Sequence, residues 1–110
     1  MPYTAFYAKK SFIDDNEDLI KRFNNAINRG LDYVRNNNEK NIANAIIDQF
    51  PDSSLNDVIK IVKRYRDNDS WLDNTSISED IYNNLEDIMI DNDLLDDYVD
   101  FNKLVINLNE

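Results

Sequence analysis

Carboxylates are the residues of this sequence best suited to chemistry. Two triplets, Asp67-Asn68-Asp69 and Asp91-Asn92-Asp93, space them as a cation site needs. A calcium loop begins with oxygen ligands at alternating positions, turns tightly at a glycine and closes on a distal bidentate glutamate. Both triplets lack the remainder: Leu72 and Ser78 occupy the glycine and glutamate places after the first, Asp96 and Asn102 after the second. Carboxylate pairs can also divide acid and base roles, but only in a cleft that drives their pKa values apart. These lie in acidic runs among polar residues, so a solvated surface is the expectation.

Other chemistries lose their residues altogether. The chain has no cysteine and no histidine, which removes thiolate nucleophiles, imidazole bases, the Cys and His zinc ligands and disulfides together. A single glycine, Gly30, cannot build a phosphate-binding loop, and no serine carries the flanking glycines of a nucleophile elbow. No catalytic residue, metal or cofactor is expected. Asn68-Asp69-Ser70 and Asn74-Thr75-Ser76 fit the glycosylation acceptor, a pattern that arises freely in so asparagine-rich a chain.

Charge narrows the partners. Of the net charge of -10, residues 1–66 hold 11 basic and 9 acidic side chains, whereas residues 67–110 hold 1 and 13. Such a field repels phosphate backbones and anionic lipid, so neither nucleic-acid binding nor membrane insertion is expected. At 110 residues and 42% hydrophobic, the chain predicts one folded domain at most. No apolar run is long enough for a signal peptide or a membrane span, so the sequence as written carries no export information.

The elements that must position these residues follow from periodicity. Tyr3 to Ala8, aromatic and β-branched after Pro2, predicts one N-terminal β-strand. Asn16 then caps a helix in which Leu19, Ile20, Phe23, Ala26, Ile27, Leu31 and Val34 form an apolar stripe. Gly30 falls inside that helix at a cost of roughly 1 kcal/mol against alanine, which predicts a close crossing by another element. Asn36-Asn37-Asn38 ends it and caps a second helix over Glu39 to Phe50, which stops before Pro51. Ser53 or Ser54 caps a third, carrying Leu55, Val58, Ile59, Val62 and Tyr65 inward. Ser76-Ile77-Ser78-Glu79 has capping-box spacing and opens a fourth, with Ile81, Tyr82, Leu85, Ile88 and Met89 on one face. Trp71, between the third and fourth, reads as a plug over a helix junction. Leu94 to Val105 predicts a turn and a short closing helix. The apolar faces of the main helices are expected to share one core.

Taken in order, several segments resemble the last part of the periplasmic substrate-binding proteins that serve ABC importers of the nitrate/sulfonate/taurine and thiamine-precursor type. They are Pro2 to Ile13, Asn16 to Phe23 with Ala26-Ile27 and Gly30-Leu31, Ala45 to Asp52, and Val62 to Tyr65 ahead of Trp71, then Leu85 to Ile90 and Tyr98 to Val105. The resemblance implies a mainly α chain, one N-terminal strand and about four helices, forming a fragment of a two-lobe α/β periplasmic-binding protein type II fold. It implies that the whole protein is extracytoplasmic, captures a small-molecule ligand and delivers it to an ABC permease without catalysis. Only Tyr3 and Thr4, near where the chain would leave the hinge, are implied as ligand-binding. A strand stripped of its neighbours predicts self-association through that strand, or burial of Phe6 and Tyr7 in the helical core. A rival expectation is a free-standing acidic helical module that binds a protein. It would do so as a DNA mimic, through Asp91, Asp93, Asp96, Asp97 and Asp100.

Overall fold

The computed structural model describes residues 4–108, and these contain helices and irregular segments with no strand and no sheet. The order is α1 (Lys10–Asp15), α2 (Glu17–Asn36), α3 (Glu39–Ile46), a 3-10 turn (Ile47–Gln49), α4 (Leu55–Asp67), α5 (Glu79–Asp91) and α6 (Phe101–Leu104). This overturns the expected N-terminal strand and, with it, a fragment of an α/β fold. Tyr3 lies outside the described residues, while Thr4 to Ala8 are irregular and exposed. Phe6 is 78% and Tyr7 97% exposed, so neither enters the helical core. The reason is that β-propensity records fit to a pleated, half-buried surface. Without a neighbouring strand to take its backbone groups, an aromatic segment has no sheet to join.

Helix starts follow the side-chain caps. Asn38 accepts from Asn41 N–H at 2.8 Å, Ser54 from Asp57 N–H at 3.1 Å and Ser78 from Ile81 N–H at 3.3 Å, each satisfying an otherwise unpaired first-turn donor. Of the capping-box residues, Ser78 caps α5 and Ser76 does not. Asn16 has a divided role. Its carbonyl accepts from Ile20 N–H, as a cap's carbonyl does, but its side-chain amide donates back to the Phe12 carbonyl at the end of α1.

The two Asp-Asn-Asp triplets prove to be helix stops. After α4, Asp69 N–H donates to the Arg66 carbonyl and Ser70 N–H to the Tyr65 carbonyl; after α5, Asp93 N–H donates to Ile90 and Leu94 N–H to Met89. This is the Schellman pattern, and its left-handed residue is an aspartate each time, Asp69 at φ 51° and Asp93 at φ 57°.

By backbone contacts the chain divides into two compact units. The hairpin unit, Asn25–Thr75, holds the second part of α2 with α3 and α4. Ile42, Ala43, Val58 and Val62 are each at most 2% exposed there, with Val34, Ile46, Ile47, Leu55, Ile59 and Trp71 packed around them. Fully buried Ala43 brings the α3 and α4 backbones close, since no larger side chain holds them apart. Trp71 covers this cluster and lies 5.6 Å from the Tyr65 ring, as expected of a plug. Gly30 departs from expectation, because a Cβ there would meet nothing within 4 Å. Among the described residues no element crosses it, and the glycine's helix penalty goes uncompensated there.

The acidic unit, Met1–Asn24 with Ser76–Glu110, holds α1, the start of α2, α5 and α6. Its buried side chains among the described residues are Tyr82 and Glu86, at 6% and 5% exposure. The buried residues therefore form two groups, one in each unit, where the sequence predicted one shared core.

Candidate functional site

Two concave surfaces among the described residues each lie within one unit. In the hairpin unit, a cup of about 170 Å³ sits where Arg35, Tyr65, Arg66 and Trp71 meet the linker after α4. Its guanidinium groups already serve the fold. Arg35 donates to the Asp73 carbonyl and pairs with Asp32 at 3.3 Å; Arg66 donates to the Asn37 carbonyl at 2.7 Å and faces Glu39 at 3.5 Å. These contacts fasten the linker and close the carbonyl end of α2, as arginines near helix ends do. Asp69 and Asp73 also line the cup, so an incoming anion would meet like charge as well as arginine.

The acidic unit carries a larger cleft of about 490 Å³, with no charged residue in its lining. One wall is α1 and the first turns of α2, through Phe12, Ile13, Leu19, Ile20 and Phe23; another is Leu104 of α6 with Ile106 and Leu108. Phe6 leans edge-on against Phe23, with ring centroids 4.9 Å apart. The closing segment is pinned on both sides. Asn24 donates its amide to the Leu108 carbonyl, and Asn107 exchanges two hydrogen bonds with the Ile77 backbone at 2.9 and 3.0 Å. Polar ties thus fix the closing segment against α2 and the stretch before α5 while the apolar faces of the cleft stay open. Leu104 is 67% exposed, and Phe12, Leu19 and Ile106 are each 46% exposed.

The same unit holds a carboxylate clamp. Buried Glu86 of α5 accepts from Val99 N–H at 2.8 Å, and the Tyr82 hydroxyl donates to the Val99 carbonyl at 2.8 Å, so both backbone groups of one residue are held. Tyr98 donates to Asp87 at 2.8 Å. Burial, then the neighbouring Glu86 carboxylate, raises the Tyr82 pKa above the ordinary phenol value. The hydrogen bond to Asp87, then its charge, does the same for Tyr98. The Tyr82 ring meets Phe101 edge-on at 5.4 Å, seating α6 on α5.

Thr4, implied as ligand-binding by the family resemblance, is exposed in the irregular lead-in and lines neither the cup nor the cleft; Tyr3 lies outside the described residues. Asp91, Asp93, Asp96, Asp97 and Asp100 are all exposed. Two have local duties: Asp97 accepts from Tyr98 N–H, and Asp100 caps α6 by accepting from Asn102 N–H. Among the described residues no cluster of acidic side chains could hold a metal ion, and no helix is long and apolar enough to cross a membrane. Sequence reasoning missed the cleft because Leu19, Ile20 and Phe23 have the spacing of core residues. It missed α1 as well, although the Lys10 to Asp14 pair at i, i+4, 2.7 Å apart here, was a legible helix signal.

Comparison with known proteins gives one point of reference. Over 105 residues the chain is 31% identical to a Bacillus subtilis (strain 168) protein named "Putative binding protein YtlA", covering 96% of this chain and 31% of that protein. The chain thus spans about a third of the length of this relative. No family model matches the chain, and no solved structure matches it.

Proposed function

We propose that this chain is a helical portion of the extracytoplasmic solute-binding component of an ABC importer, of the group that takes up nitrate, sulfonates, taurine or thiamine precursors. The observation that carries the reading is its 31% identity to YtlA, a protein whose name describes it as binding, along 96% of the chain. The ordered segments that resemble the importer family point the same way. In this reading the whole protein's partners are a small-molecule ligand and a permease.

The surfaces of this chain fit a supporting part better than the ligand pocket itself. A nitrate or sulfonate needs unengaged donors in an enclosed site. The cleft in the acidic unit is lined by apolar groups, and the arginines of the cup are tied to Asp73, Asn37 and Glu39. Ligand selection is accordingly assigned to the part of the protein that corresponds to the unaligned length of YtlA.

The test is isothermal titration calorimetry of this chain beside full-length YtlA with taurine, longer alkanesulfonates, nitrate and a thiamine-precursor pyrimidine. The expected outcome is micromolar binding of one solute by YtlA and none by this chain alone. Failure of YtlA to bind any of the four, or comparable affinity in this chain by itself, would overturn the assignment.

A further inference from the structure

We draw no further inference here: the strongest candidate, the open apolar cleft of the acidic unit walled by α1, the first turns of α2 and α6, is an unpartnered apolar face, and nothing in the structure shows what covers it.

Discussion

The hairpin unit and the acidic unit are built from the same local signals yet end in opposite states. Each has a helix opened by a serine, Ser54 or Ser78, and closed by an Asn-Asp pair with the aspartate left-handed. In the hairpin unit the apolar faces of α3 and α4 meet and bury Ile42, Ala43, Val58 and Val62. In the acidic unit the apolar faces of α1, α2 and α6 line an open cleft, and closure rests on polar ties from Glu86, Tyr82, Asn24 and Asn107. Apolar periodicity specifies a face that favours burial; it does not specify that a partner face is within reach.

The largest expected effect tests that contrast directly. Ile42→Ala removes a side chain from the buried cluster and should cost about 2–5 kcal/mol in urea unfolding, whereas Leu104→Ala, at an exposed position, should cost under about 1 kcal/mol. A cost at Leu104 equal to that at Ile42 would mean the cleft is closed in solution. Next, Glu86→Ala strips the acceptor from Val99 N–H and should destabilise the acidic unit by about 1–3 kcal/mol. Protection of the Val99 amide against hydrogen exchange should fall while that of Val62 is kept, and parallel loss at both sites would merge the two units into one cooperative body.

Three substitutions should stabilise. Gly30→Ala faces open space in a helix interior, so it should add about 1 kcal/mol, read as a raised urea midpoint; no gain would point to a neighbour that covers Gly30 in solution. Asp69→Gly and Asp93→Gly place the residue that tolerates φ > 0 at each left-handed stop and remove a negative charge from a helix carbonyl end. Each should gain up to about 1 kcal/mol, and by a similar amount, if the stops are locally equivalent. Unequal gains in the two units would show that tertiary context governs one of them.

The smallest effect is one of pH. Tyr82 is held protonated above its ordinary range when folded, so at alkaline pH the unfolded chain gives up that proton first. Its stabilising contribution is complete below pH 10, the ordinary tyrosine value, and declines as pH rises from there through the raised folded value. Tyr82→Phe should flatten this alkaline limb of the melting curve; an unchanged limb would assign it to another group, with Tyr98 next in line.

What the sequence determined by itself is the local grammar. A cap within Asn36 to Asn38 and another at Ser53 or Ser54, the stop before Pro51, the inward faces of α3 and α4 apart from the exposed Phe50 and Tyr65, and the covering role of Trp71 are set by contacts within a few residues or by strong apolar period. What only the tertiary structure decided depends on distant surfaces. Tyr3 to Ala8 has the residue types of a strand, but a strand exists only where another backbone accepts its hydrogen bonds, and among the described residues none does. Leu19 and Phe23 have the spacing of core residues, and whether such residues become core or an open wall is settled by what packs over them. The Asp-Asn-Asp triplets carry the same lesson: their spacing suggests ligands, and only the backbone hydrogen bonds around Asp69 and Asp93 reveal that they end helices.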